Sequence, residues 1–339
     1  MKTAALELRK PYLVFVGDAG SGPYAKTAYG VRDWAPEACL AQVRLPGCPV
    51  DLGLPEMTPQ AAAAAGARSL LIGVAPLGGQ IPPEWEPLLQ RAVEAGLDIV
   101  SGMHTSLLDV PGLADAARCN GAALVDVRRP RQSFPVGTGQ RRSGKRLLTV
   151  GTDCSLGKKY TAIALARALQ ARGIKADFRA TGQTGIMISG VGICVDAVIA
   201  DFIAGAAECL SPPAAADHWD IIEGQGSLFH PSYAGVTLGL LHGSQPDVLI
   251  LCHDPTRTHL KALPDFPIPS LRVAAQRYLE AARLTNPAVR LAGVSLNTSK
   301  LDDAQRARVI AETAASMGVP CFDPLQTPLD AALDPVLVQ

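Results

Sequence analysis

Val150-Gly151-Thr152-Asp153-Cys154-Ser155-Leu156-Gly157-Lys158-Lys159 joins two segments of opposite character. Before it, Arg146-Leu147-Leu148-Thr149-Val150 is apolar and β-leaning, the composition of a buried strand. After it, Tyr160 to Arg172 carries Ala, Leu and Ile at helical spacing, and Gly173 stands where a helix would stop. Strand, glycine loop, lysine and helix make the layout of a phosphate-binding loop. The helix start offers unpaired N–H groups and the positive end of its dipole, and Lys158 adds a full charge. A glycine-rich turn that binds nothing is the plainer alternative, but both flanks supply the context that the motif requires.

The loop also departs from the pattern of a nucleotide hydrolase. Five residues separate Gly151 from Gly157, where the hydrolase pattern has four. Lys159 stands where a Ser or Thr hydroxyl would hold magnesium. A second cation suits an anionic ligand and cannot coordinate a metal ion. The expectation is a phosphate cradle that has lost ATP chemistry and needs no metal.

A chain of 339 residues with 48% hydrophobic content is natural for two domains and has ample core material. Its formal net charge of zero gives no global field to recruit nucleic acid or an anionic membrane. Eight scattered cysteines without a CxxC pair argue against zinc and for thiols in a reducing cytoplasm. Met1 to Lys10 is too charged for a signal peptide, and no apolar run spans a bilayer.

Tyr12 to Gly17 reads as a first strand, and apolar runs recur at 69–74, 97–100 and 122–127. Helical stretches fall between them near 59–66, 83–95 and 113–120, so the first domain is Rossmann-like on layout, a parallel sheet with helices on both faces. Gly17-Asp18-Ala19-Gly20-Ser21-Gly22 is a poor imitation of a dinucleotide fingerprint and reads as a plain loop. Asp18, Lys26, Thr27, His104 and Asp126 sit at strand ends as candidate cleft residues, with His104 equally readable as an ordinary loop histidine. Arg128 to Lys145, rich in Arg, Gly and Pro, reads as a solvated basic linker. The expected domains are therefore residues 1–135, Rossmann-like, and 136–339, a P-loop-like doubly wound parallel sheet.

In the second domain a strand at 176–180 leads into a loop, Thr181-Gly182-Gln183-Thr184-Gly185-Ile186-Met187, expected beside the cradle. A helix is expected near 197–208. The strand at 218–222 delivers Glu223-Gly224-Gln225-Gly226-Ser227, an acidic residue and glycines at the Walker-B position. Strands at 248–252 and 291–296 deliver His253 to Arg257 and Asn297-Thr298, and helices near 270–283 and 302–317 cover the sheet.

Gly-Thr-Asp-x-x-x-Gly-Lys at Gly151, the Thr-x-Gln loop at Thr181, Glu-Gly-Gln-Gly at Glu223 and Gly-Val-x-Leu-Asn at Gly293 resemble dethiobiotin synthetase and its ATP-dependent relatives. The runs Gly151 to Lys159, Thr181 to Gly185 and Glu223 to Pro231 are similar, more closely, to the D-glutamate N-acetyltransferase (DgcN-like) family, formerly a domain of unknown function. That resemblance covers nearly the whole chain. It implies a Rossmann-like part ahead of a P-loop-like part, and acetyl transfer from acetyl-CoA to the amino group of D-glutamate. Lys159 agrees with the acetyltransferase family and disagrees with the synthetase.

Under that implication Gly151, Thr152, Asp153, Cys154, Ser155, Gly157, Lys158, Lys159 and Asn297 would bind the phosphates and base of the cofactor. Acetyl transfer to an amine needs a base, donors for the thioester oxyanion and a protonated leaving group. Glu223 is the first candidate base and His230 the second; a Glu223 that merely orders its loop is the structural alternative. Backbone N–H groups of 224–227 are candidate oxyanion donors. Arg179 and Arg257 suit the carboxylates of an acidic amino acid, though each also reads as a surface ion pair. Thr184, Gln225, Gly226 and Ser227 are expected to line the substrate site. Cys154 sits where a helix N-terminus would lower its pKa, which leaves a covalent acetyl-cysteine route open. The rival readings are an ATP-dependent ligase or kinase of the dethiobiotin synthetase type and a non-catalytic nucleotide sensor. A homo-oligomer is expected, as for many enzymes of this size.

Overall fold

Five apolar runs of the first part become parallel strands in the computed structural model, which describes residues 6–74, 79–129 and 133–337. The chain divides into two compact units, Met1–Arg131 with Gln183–Ala197, and Gln132–Gly182 with Val198–Gln339. The first unit runs β1 (Tyr12–Gly17), α1 (Lys26–Trp34), β2 (Cys39–Arg44), α2 (Pro59–Ala64), β3 (Ser69–Ile72), α3 (Glu86–Glu94), β4 (Asp98–Ser101), α4 (Leu113–Asn120) and β5 (Leu124–Asp126). Its sheet has the order β2-β1-β3-β4-β5, all parallel, the flavodoxin-like doubly wound order. β1, β3 and β4 are buried on both faces, as continuous apolar runs in a helix-covered sheet should be.

The candidate cleft residues of this unit mostly make internal bonds. Asp18 accepts from the Trp85 indole N–H at 3.1 Å, and Asp126 accepts from the Ser106 hydroxyl at 2.9 Å. His104 is exposed and packs against Gly79, where an added Cβ would lie 2.5 Å from the imidazole Cδ2.

The second unit runs β6 (Lys145–Gly151), α5 (Lys158–Ala171) and β7 (Ala176–Arg179). The chain then gives α6 (Gln183–Ser189) to the first unit and returns for α7 (Ile203–Leu210) and β8 (Trp219–Ile222). It finishes with α8 (Ala234–Ser244), β9 (Val248–His253), β10 (His259–Leu260), β11 (Leu263–Pro267), α9 (Leu271–Arg283), β12 (Arg290–Leu296), α10 (Asp303–Met317), β13 (Cys321–Phe322) and α11 (Asp330–Leu337). The main sheet has the order β13-β12-β9-β6-β8-β7, again all parallel. β6 therefore lies between β8 and β9, and the segments leaving those two strands flank the loop that leaves β6. Leu147, Leu165, Leu169, Ile221 and Ile250 are fully enclosed in the core beneath it, each contributing ~1.5–3 kcal/mol of hydrophobic stabilisation.

Two expectations are corrected. The stretch 181–187, read as a loop, is helical from Gln183 onward as part of α6, because Ile186, Met187 and Ile188 are core of the first unit. There the Tyr12 hydroxyl donates to the Met187 carbonyl at 3.2 Å, and Arg128 Nε donates to Gln183 Oε1 at 2.8 Å. The basic linker is not solvated throughout, although Arg131 lies outside the described residues. Arg142 is 9% exposed and donates to the Ser211 and Gly243 carbonyls at 2.9 and 2.8 Å. Those oxygens close the last turns of α7 and α8, where a cation complements both helix dipoles. The helix expected at 197–208 is α7, which starts later, after short 3-10 turns at Val195–Ala197 and Ala200–Phe202.

Candidate active site

β6 delivers the loop, and two left-handed residues bend it. Ser155 has φ +54° and Gly157 φ +109°, a conformation in which a side chain at 157 would be strained. Gly157 caps the N-terminus of α5, whose first residue, Lys158, is buried and folds back to donate Nζ–H to the Asp153 carbonyl at 2.9 Å. An added Cβ at Gly151 would lie 3.2 Å from that ammonium. The loop's own backbone thus wraps Lys158.

Burial holds the Lys158 pKa below its ordinary value of 10.5, against the opposing pull of Cys154, Cys252, Asp153 and Glu223. A bound polyanion favours the charged form, so the pKa must rise on binding and a proton must be taken up. Any affinity of the loop for an anion is then full below the free-protein pKa and falls as pH rises through it. Calorimetric titration with pyrophosphate in buffers of different ionisation enthalpy should show this uptake at alkaline pH; pH-independent affinity would contradict it.

Side chains from three neighbouring segments hold the loop. Buried Asp153 accepts from the Cys154 N–H at 2.6 Å through Oδ1, and through Oδ2 from Arg257 Nη1 at 2.6 Å and the Lys261 N–H at 2.8 Å. Arg257 also donates to the Cys154 carbonyl at 2.8 Å. The Tyr278 hydroxyl donates to the Gly151 carbonyl at 2.7 Å and accepts the Leu228 N–H at 3.1 Å, with its pKa pushed up to about 12 by burial. Ser227, fully buried, adds a second donor to the Gly151 carbonyl at 2.9 Å. Thr152 Oγ1 lies 2.9 Å from His253 Nδ1.

The loop after β8 brings Glu223 to the other side. Its Oε2 accepts the Thr181 and Gly182 N–H groups at 3.0 and 3.1 Å, and the carboxylate is close enough to Lys158 to act on its charge. Gln225 donates to Thr181 Oγ1 at 3.1 Å. Gly224 must be glycine, since a Cβ there would lie 1.7 Å from the Thr149 carbonyl oxygen. The Gly224 N–H is taken by Thr149 Oγ1 at 2.9 Å, so of the expected oxyanion donors this one is already engaged. At Gly226, φ is +63° and a Cβ would lie 2.5 Å from the Tyr233 carbonyl oxygen.

His230 is buried, stacks on Tyr233 with ring centroids 4.6 Å apart, and accepts the Ser232 N–H at Nδ1 at 3.2 Å. In the neutral ring that bond leaves the proton on Nε2. His230, Cys154 and Asp153 bring ligand-type atoms within 4.8 Å of one another, but the carboxylate of this group is already neutralised by Arg257. The Cys154 thiol is pushed up by burial, the reverse of the lowering expected from the helix N-terminus; desolvation outweighs Lys158 beside it.

Arg179 is bound to Asp220 at 2.7 Å and Asp177 at 3.1 Å. Thr184 lies on α6 in the first unit, 3.1 Å from Thr27 Oγ1. Asn297 borders a cavity of about 230 Å³ that opens beside Gly157. Leu156, Tyr160, Leu296 and Leu325 give it apolar walls, and Asn297 and Gln326 give it hydrogen-bonding groups, a lining suited to a heterocyclic base. Lys159 lies at the same end of α5, with Nζ 4.3 Å from the Tyr160 ring centre.

Tyr278, His253 and Lys261 bond to the loop and were not named as candidates from the sequence. His253 was legible as the end of an apolar run. Tyr278 and Lys261 carry no local mark, because their partners lie far away in the chain.

Residues 135–333 match the family model described as the P-loop domain of a domain of unknown function, DUF1611_C, and residues 44–130 match its Rossmann-like companion, DUF1611_N. A protein of Tritonibacter scottomollicae named D-glutamate N-acetyltransferase is 52% identical over 317 residues, 94% of this chain and 95% of its own length. One of Pseudoalteromonas sp with the same name is 46% identical over 326 residues, 96% and 98% of the two chains. The crystal structure of a DUF1611 family protein from Anabaena variabilis superposes with a TM-score of 0.86 at 33% identity, covering 97% of this chain and 99% of that one. Matched in both its parts and along nearly all of its length, this chain belongs to the DUF1611 family.

Proposed function

We propose that this chain is a D-glutamate N-acetyltransferase that takes its acetyl group from acetyl-CoA. The reading is carried by the near-full-length similarity to two proteins of that name. The cradle agrees with it: Lys158 and Lys159 open α5, with no hydroxyl at 159 for magnesium, and a base-sized cavity adjoins Gly157. The pyrophosphate of the donor would lie over Lys158 and the loop N–H groups, and its adenine in the cavity beside Asn297.

The amine of D-glutamate attacks the thioester carbonyl. A C–N bond forms, the C–S bond breaks, and coenzyme A leaves as its thiol. Glu223, a buried carboxylate whose charge reaches Lys158, accepts the proton that the substrate ammonium loses before its amine attacks. His230, with Nε2–H directed by the Ser232 bond, is the second group placed to move a proton. Direct transfer is favoured over an acetyl-cysteine, since burial keeps the Cys154 thiol protonated. Arg257 and Arg179 would meet a substrate carboxylate while already paired with Asp153, and with Asp220 and Asp177. Gln225, Gly226 and Ser227 complete the proposed site list of the second unit, and Thr184 stays a candidate on the first unit's α6.

The eight free cysteines suit a reducing compartment, and a cytoplasmic homo-oligomer is proposed. Among the described residues no helix is long and apolar enough to cross a membrane. Purified protein given acetyl-CoA and a panel of acidic D- and L-amino acids should release free thiol, fastest with D-glutamate. No release with any of them would sink the proposal, and magnesium-dependent ATP turnover would favour the synthetase-like reading.

A further inference from the structure

The short hairpin β10–β11 reaches the cradle with one turn residue. Lys261 donates its backbone N–H to Asp153 Oδ2 at 2.8 Å, and its Nζ lies 3.4 Å from Ser155 Oγ on the loop itself. The next residue, Ala262, holds φ +63°, a left-handed position in a two-residue turn where glycine is the relaxed choice. Residues 264–267 of the hairpin are exposed, and two strands alone are marginally stable in water. The turn is thus kept in a costly shape and tied to a buried carboxylate at one point, with an exposed ammonium over the cradle's rim. Asp153 cannot neutralise that ammonium, because its carboxylate is committed to Arg257. The arrangement has the charge sign of Lys158 and Lys159 and extends their field outward from the loop.

We propose that Lys261 is a phosphate-binding residue of the cradle, contributed by a strap outside the motif, and that it selects donors with a phosphorylated nucleotide tail. This rests on the acetyl-CoA reading for its ligand. Coenzyme A carries a pyrophosphate and a 3′-phosphate, more negative charge than Lys158 and Lys159 neutralise. Acetyl-pantetheine carries the same thioester without any phosphate.

The test compares Lys261→Gln and Lys261→Arg with the wild type in binding inorganic pyrophosphate and in turnover of acetyl-CoA and acetyl-pantetheine. Loss of one charge-assisted contact should weaken pyrophosphate binding and raise KM for acetyl-CoA by about 10-fold. Neither kcat nor the KM for acetyl-pantetheine should move, and Lys261→Arg should restore most of the affinity. A misfolded turn would instead affect both donors and lower the melting temperature. Wild-type pyrophosphate binding in Lys261→Gln would overturn the assignment. Should the wild type fail to use acetyl-CoA, the donor reading falls, and the pyrophosphate measurement still decides the role of Lys261.

Discussion

Glu223→Gln is expected to lower kcat with acetyl-CoA and D-glutamate by about 100-fold or more, the usual worth of a positioned general base. Binding of acetyl-CoA should change little. The substitution separates two roles of one side chain. Both backbone donors, Thr181 N–H and Gly182 N–H, meet a single carboxylate oxygen, and glutamine retains one oxygen to accept them. The loop before α6 therefore keeps its anchor while the basic group is removed. Turnover of the variant should rise with pH, since solvent then deprotonates the substrate ammonium whose proton glutamine cannot accept. Steady-state rates combined with acetyl-CoA titration of the variant provide the check; normal turnover would clear Glu223 of proton transfer and leave it the anchor of its loop.

Lys158→Ala should weaken acetyl-CoA binding by about 10- to 100-fold, the loss of a charge-assisted contact in a buried setting. The mutation also strips the Asp153 carbonyl of its donor and empties a buried site, so part of the loss would come from the cradle's shape. Lys158→Met fills the same space without charge and isolates the electrostatic share. Calorimetric affinities beside melting temperatures distinguish the two. An unchanged affinity in Lys158→Met would mean that the nucleotide tail binds elsewhere.

The geometry of this site was legible where it depends on residues close in sequence. β6, the bent loop and α5 follow from an apolar run, two glycines and a helical repeat, and Glu223 follows from its place at a strand end. The fold class and the resemblance to the D-glutamate N-acetyltransferase family were legible for the same reason. What escaped depends on distant partners. Arg257 and Asp153 are 104 positions apart, and neither residue announces that a cation apparently suited to a substrate is bound to the cradle's own carboxylate. Tyr278 reads as one more buried residue of the amphipathic helix α9, yet its hydroxyl joins the end of β6 to the loop after β8. β2 was missed because Gln42 interrupts its apolar run; its amide is buried and bonded to Asp51 and Leu54. β10 and β13, two residues each, are too short to leave a period.

The excursion of α6 has a consequence for dissecting the protein. The polypeptide changes unit at 131/132, at 182/183 and again at 197/198, so a single cut cannot yield two complete halves. A fragment stopping near residue 131 would lack Ile186 and Met187, both fully enclosed, and would present their former seat to water. The remaining fragment would carry those same apolar side chains without the rest of the unit they belong to. Swapping either half between relatives as a cassette therefore also requires exchanging residues 183–197 with the first half.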